Sequence, residues 1–146
     1  MLILAAVLTL PSTPTDVGKL QPVQTVIVYK EDGSFVLQTD TDDVGRGENI
    51  LAALDDLKET TPEHIYLDTA EFLLIGEGTE KAVETLRKRF DRSAELYGYI
   101  GSPDPEAVSA YLQVHGNGPR FSQWQVGEKL PILDCREDRI RYLKNS

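Results

Sequence analysis

A chain of 146 residues is long enough for one domain of ordinary size, which buries about two thirds of the surface that its unfolded form exposes. Its 40% hydrophobic and 27% charged residues are those of a globular protein, and the single cysteine, Cys135, excludes an internal disulfide and any cysteine-rich metal site. Against 15 Lys and Arg stand 24 Asp and Glu, and the net charge of −9 opposes non-specific binding to nucleic acid or to an anionic membrane surface, which carry the same sign.

The leading run Met1–Leu10 is apolar, carries no Lys or Arg and is too short to cross a bilayer, so it reads as a buried strand and not as a secretion signal. Pro11 and Pro14, with Ser12 and Thr13 between them, stop it, because proline cannot donate to a ladder and restricts the residue before it. Val23–Lys30 is rich in β-branched residues and meets the turn signal Glu31-Asp32-Gly33-Ser34 before Phe35–Thr39, which predicts strand, tight turn, strand. An acidic loop from Asp40 to Glu48 leads through Gly45-Arg46-Gly47 into a helix. Ile50, Leu51, Leu54 and Leu57 recur there at helical spacing, with Asp55, Asp56, Lys58 and Glu59 on the other face, and Thr60-Thr61-Pro62 ends it. Phe72–Ile75, flanked by glycines, reads as a strand that closes at Gly76-Glu77-Gly78.

Thr79 is placed to cap the next helix, whose buried stripe is Ala82, Val83, Leu86 and Phe90. Arg87, Lys88, Arg89 and Arg92 crowd its last turns and complement the negative end of its dipole. Glu95–Gly101 reads as another strand, and Asp104 with Pro105 forms the start of a helix over Ala107–Val114 that ends at His115-Gly116-Asn117-Gly118-Pro119. Phe121, Trp124 and Val126 point to a loop or edge strand, so 115–146 is expected as a less regular extension packing back on the domain. Arg136–Lys144, with Ile140, Tyr142 and Leu143, fits a terminal strand as readily as a helix. Together these elements predict one α/β (α+β) domain over 1–146, a small mixed sheet with about three helices on it.

Nothing in the spacing converges as catalysis requires. Gly76-Glu77-Gly78 lies between strand and helix, where phosphate loops occur, but it lacks their lysine-serine pair and the third glycine of a dinucleotide fingerprint, and Glu77 repels phosphate. His64 and His115 have no partner at helix-face spacing. Glu63, Asp68, Glu71 and Glu77 are carboxylates in a chain full of them, with no spacing that pairs two for acid-base work. Asp40, Asp42 and Asp43 lack the spaced ligands and distal glutamate of an EF-hand loop. Cys135 reads as a structural or surface thiol. The expectation is therefore a non-enzyme with no cofactor and no metal.

From Glu31 to Glu80 there are fourteen acidic residues and two basic ones, Arg46 and Lys58. The bland reading is a solvated face; the sharper one is a docking surface for a partner. Exposed loops on a rigid sheet are where recognition sits, so the candidate interaction residues are Asp40, Asp42, Asp43, Arg46 and Glu48 of the acidic loop and Glu77 and Thr79 of the later turn. Gly45, Gly47, Gly76 and Gly78 are expected as backbone turn positions with φ above zero.

The segment GRGENILAALDDL, then IYLDTAEFLLIGEG, a helix and ELYGYIG, resembles the N-terminal domain of the Ger(x)C family of spore-germination receptor lipoproteins. In that family a G-x-G element opens a helix of the form I-x-x-A-L, matched here by Gly45, Gly47, Ile50, Ala53 and Leu54. A strand of the form (L/I)-(Y/F) … I-G-E is matched by Ile65, Tyr66, Ile75, Gly76 and Glu77. The resemblance runs from the first apolar strand to about Val114. The family's lipid-modified cysteine and two further domains have no counterpart here, so a short or trimmed form is expected, and a histidine common before I-G-E falls at Thr69.

The resemblance implies a non-catalytic receptor subunit or accessory at the extracytoplasmic face of the spore inner membrane. Its partner would be a protein, a membrane-embedded receptor subunit, with no nucleic acid bound and no direct membrane insertion by this chain; self-association is compatible with it. The competing readings are a small-molecule-binding or hydrolytic α/β domain with a cleft at the strand ends, and a phage or mobile-element structural protein.

Overall fold

β-branched side chains at Thr25, Val26, Ile27 and Val28 stiffen an extended backbone, and the molecule is assembled around the strand they form. The computed structural model describes residues 20–60, 64–66, 70–89 and 94–144. In chain order these give β1 (Leu20–Pro22), β2 (Thr25–Glu31), β3 (Ser34–Thr39), β4 (Val44–Gly47), α1 (Ile50–Thr60), β5 (His64–Tyr66) and β6 (Phe72–Ile75). There follow α2 (Glu80–Val83) with a 3₁₀ continuation over Glu84–Arg89, β7 (Glu95–Gly101), α3 (Pro105–His115), β8 (Ile132–Glu137) and β9 (Arg139–Tyr142). The strand expected at Met1–Leu10, the Pro11–Pro14 loop, Thr61, Pro62, Glu63, Asp68, Thr69, Phe90 and Arg92 lie outside the described residues.

Seven strands form one mixed sheet in the order β4-β3-β2-β6-β7-β8-β9. β2, β6, β7 and β8 run parallel, and an antiparallel extension closes each margin. β1 and β5 make a separate two-stranded parallel pair, so Ile65-Tyr66 and Ile75-Gly76 belong to different strands. The class is mixed α/β with a single domain, as the alternation of sheet and helix periods predicts. At the β2–β3 turn Asp32 and Gly33 have φ of 52° and 83°, the two left-handed positions of a two-residue hairpin loop, which Asp-Gly tolerates.

Alternation along the strands sorts the core into two faces. Val26 and Val28 of β2, Leu73 and Ile75 of β6 and Leu96 of β7 pack under Leu54 and Leu57 of α1 and under Val83 and Leu86. Ile27, Leu74, Tyr97 and Leu133 point the other way, toward Val108 and Leu112 of α3. A buried hydroxyl pair, Thr25 with Ser109 at 2.5 Å, ties β2 to α3. Helix starts follow their local signals: Asn49 Oδ1 accepts from the Ala52 amide at 2.8 Å, and Asp104 Oδ2 from the Ala107 amide at 3.2 Å, with Pro105 at the first position of α3.

Several expectations are corrected. Gly45-Arg46-Gly47 is the strand β4 and not a helix lead-in, and Gly45, Gly47 and Gly76 do not have positive φ, which among these four glycines belongs to Gly78 alone. Gly45 and Gly47 are glycine because α1 lies directly on β4. Thr79 does stand at the N-cap of the next helix, its carbonyl accepting from the Val83 amide at 3.0 Å, but its buried hydroxyl donates to the Gly76 carbonyl at 2.7 Å and not to the helix. The helix after it is short and tightens into a 3₁₀ turn, in which Arg87 serves packing: its guanidinium binds Glu84 and donates to the carbonyls of Phe121 and Trp124. Finally, 115–146 is no mere extension. Phe121 and Trp124 do fold back into the first core, but β8 and β9 complete the sheet.

Candidate functional site

The chain leaves two neighbouring strands toward opposite faces: after β6 it enters α2 in the first core, and after β7 it enters α3 in the second. Such a reversal opens a crevice outside the carboxyl ends of parallel strands. Here Tyr29 and Tyr99 line the crevice. The Val28–Ile75–Gly98 register places Gly76 between Tyr29 and Tyr99, and its amide donates to the Val28 carbonyl at 2.7 Å. A Cβ at Gly76 would stand 2.8 Å from the Val28 carbonyl oxygen, 3.0 Å from the Tyr99 hydroxyl and 3.1 Å from Tyr29 Cβ, so glycine lets the Tyr99 hydroxyl and Tyr29 close directly over the β6 backbone. The cavity at this end is about 230 Å³ and is lined by Tyr29, Tyr99, Glu31, Gln38 and Ser102.

The cavity combines two phenols with Glu31, Gln38 and Ser102. Burial pushes the Tyr99 hydroxyl up to about 12, helped by nearby Tyr29 and Cys135, and burial also raises Tyr29. Both phenols therefore stay protonated at neutral pH and do not act as bases. Glu31 is engaged by Arg46 at 2.7 Å. Cys135 is buried in β8, and burial followed by the charge of Asp134 raises its thiol to about 11, far from a reactive thiolate. Among the described residues no group of three or more His, Cys, Asp or Glu side chains could hold a metal ion, and no helix is long and apolar enough to cross a membrane.

The candidate interaction residues do not form one surface. Because β3 runs against β2, Asp40, Asp42 and Asp43 sit at the amino end of the parallel strands, whereas Arg46, Glu48, Glu77 and Thr79 sit at the carboxyl end. Asp40 is structural: its Oδ1 accepts from the amides of Gln24 at 2.9 Å and Thr25 at 3.2 Å, holding the start of β2. Asp43 accepts the Thr41 hydroxyl at 2.7 Å, and Asp42 occupies a left-handed position with φ 65°. Glu48, Glu77 and Gly78 are exposed. Gln24 and Gln113 donate to Glu71, and His115, exposed, has its ring 4.6 Å from that of Tyr111.

Sequence reasoning missed two constellations. One is the cavity lined by Tyr29 and Tyr99. The other lies at the far margin, where Asp134, 5% exposed, accepts from Arg136 Nε and Nη2 at 3.0 Å each and faces Arg141 Nε at 3.6 Å. The hydrogen bonds and charge of Arg136, with Arg141 behind them, hold the Asp134 carboxyl at about 2, below the usual carboxylate value. A depressed folded-state pKa favours the folded form wherever the carboxylate is ionised. That contribution is complete above pH of about 4 and is lost as the pH falls toward about 2. The thermal midpoint of wild type is expected to exceed that of Asp134→Asn at neutral pH, with the gap closing between about pH 4 and 2. A gap independent of pH would contradict this.

No protein-family model, curated protein or solved structure matches the chain.

Proposed function

We infer that the chain is a non-catalytic protein-interaction module, similar in role to the first domain of a spore germinant-receptor subunit, contributing to receptor assembly in spore germination. Its partner is a membrane-embedded receptor subunit met at the extracytoplasmic face of the spore inner membrane. The cellular setting rests on the resemblance carried by Gly45, Gly47, Ile50, Ala53, Leu54, Ile75, Gly76 and Glu77. The docking role is supported by one observation: the carboxyl end of the parallel strands, where exposed Glu48 and Glu77 lie, also offers an open cavity of about 230 Å³ lined by Tyr29, Glu31, Tyr99 and Ser102. That volume falls below the roughly 300–1,000 Å³ usual for small-molecule pockets, while carboxylates on a rim set association rate and specificity.

The test is co-expression with a multi-spanning germinant-receptor subunit and recovery in detergent. Wild type is expected to retain the subunit, and Glu48→Lys/Glu77→Lys to retain at least about tenfold less with its thermal midpoint nearly unchanged, since neither side chain is buried. Failure of the wild-type chain to hold any such subunit overturns the reading; equal retention by the variant removes this edge from it.

A further inference from the structure

The two margins of the sheet are treated differently. At β4 the outward amide of Arg46 is already taken, donating to Asp56 Oδ2 on α1 at 2.8 Å. A helix carboxylate thus blunts that edge. Among the described residues β9 ends the sheet on the other side. Leu143 N donates to the Ile132 carbonyl at 2.8 Å, and the register pairs Leu133 with Tyr142 and Asp134 with Arg141. Hydrogen-bonded and non-bonded pairs alternate in an antiparallel ladder, so the amides and carbonyls of Tyr142 and of Ile140 point away from β8, out of the sheet.

The side chains along this edge are sorted as sharply as its backbone. Arg139 and Arg141 lie on the face that carries Asp134 and Arg136, and Ile140 and Tyr142 pack on the opposite face within the second core. Arg136 and Arg141 are 60% and 54% exposed although each is paired with the buried Asp134 carboxylate. The carboxylate fixes the two guanidiniums and leaves further N–H donors facing solvent, so an incoming anion meets groups already ordered. Hollows of about 230 and 310 Å³ adjoin them, the second reaching Lys144. In a chain of net charge −9, this margin gathers Arg136, Arg139, Arg141 and Lys144 against Asp134, Glu137 and Asp138, a local excess of positive charge.

We propose that the outer edge of β9 receives an extended segment of a protein partner as an eighth strand, a segment in which acidic residues alternate with apolar ones. Its carboxylates meet Arg139 and Arg141 on one face, its apolar side chains cover Ile140 and Tyr142 on the other, and its backbone pairs with the outward groups of Ile140 and Tyr142. A peptide is favoured over a phosphate polymer because the edge supplies backbone donors and acceptors that a phosphate chain cannot match, and because the acidic remainder of the molecule repels a long polyanion. The proposal uses a lateral margin of the sheet and the docking role above uses the carboxyl end of its parallel strands, so either can fail alone.

The test is fluorescence anisotropy of the full chain with a labelled peptide of about nine residues alternating Glu and Val, a common strand length. Binding is expected, at least about tenfold weaker when the same residues are segregated into blocks, when every second peptide amide is N-methylated, or in Arg139→Glu/Arg141→Glu, and weaker still as salt screens the charges. N-methylation leaves the protein untouched, so the test holds even if the double variant fails to fold. Absence of binding by wild type, equal binding of the N-methylated or block peptide, equal binding by a folded Arg139→Glu/Arg141→Glu, or displacement by inorganic phosphate at the peptide's own concentration each overturns the proposal.

Discussion

Replacing Gly45 with alanine is expected to remove about 3 kcal/mol of stability and about 10 °C from the thermal midpoint, a large effect for one methyl group. β4 runs directly beneath α1, and a Cβ at Gly45 would stand 2.6 Å from both the Leu57 Cβ and amide nitrogen and closer still to the Ala53 carbonyl. Gly47 faces the same obstacle, its Cβ falling 2.6 Å from Ala52 Cβ. The obstruction is helix backbone, which cannot swing aside as a long side chain does. Strand and helix must separate, and separation loosens Ala53, Leu54 and Leu57, all fully buried. Urea unfolding of Gly45→Ala and Gly78→Ala checks this. Gly78 has open space around its missing side chain but a φ of +83°, so alanine there costs only the left-handed backbone, about 1–2 kcal/mol. Wild-type stability in Gly45→Ala would mean that α1 does not rest on β4.

Trp124→Ala is expected to cost about 3–5 kcal/mol, the range for truncating a buried aromatic residue. Trp124 is 2% exposed and is the chain's one tryptophan. It anchors the irregular stretch between α3 and β8: its amide binds the Arg120 carbonyl at 3.0 Å, its indole N–H donates to Glu128 O at 3.2 Å, and its carbonyl takes Arg87 Nη2 at 2.7 Å. The same guanidinium stacks over the Phe121 ring at 4.7 Å. Truncation therefore opens a cavity and loosens the link to the 3₁₀ turn. Trp124→Phe keeps most of the volume, loses the indole hydrogen bond and should cost clearly less. Circular dichroism during denaturant unfolding, which does not depend on the indole, reads both variants. A cost for Trp124→Ala below about 1 kcal/mol would place that side chain outside the core.

The proposed docking edge and the β9 margin differ in what they offer a partner. At the carboxyl edge the exposed charges of Glu48 and Glu77 sit on loops, and a basic partner gains from them mainly in encounter rate. At β9 the backbone itself is available and the charges are pre-positioned by Asp134, which favours an extended segment held in register. Neither contrast is visible from composition, since the net charge of −9 averages an acidic middle with a basic end.

What the amino-acid order determined unaided is whatever depends on neighbours a few residues apart. The Asp32-Gly33 turn, the Asp104-Pro105 start of α3, the apolar period of α1 and the β-branched run of β2 each follow from local φ preferences, capping and periodicity, and together they set the mixed α/β class. Tertiary structure alone decided the rest. Gly45-Arg46-Gly47 resembles a loop until α1 folds onto it and requires the absence of side chains. Asp134 breaks the apolar pattern of β8, and its partner Arg141 comes from the next strand. Asp40 looks like part of an acidic surface until it meets the amides of Gln24 and Thr25, sixteen and fifteen positions away. The Asp40–Asp43 loop and the Gly76–Thr79 turn, similar as exposed loops, are sent to opposite ends of the sheet by the antiparallel course of β3. Strand pairing is a long-range choice, made by which faces bury together, and a linear pattern of residue types carries no direct record of it.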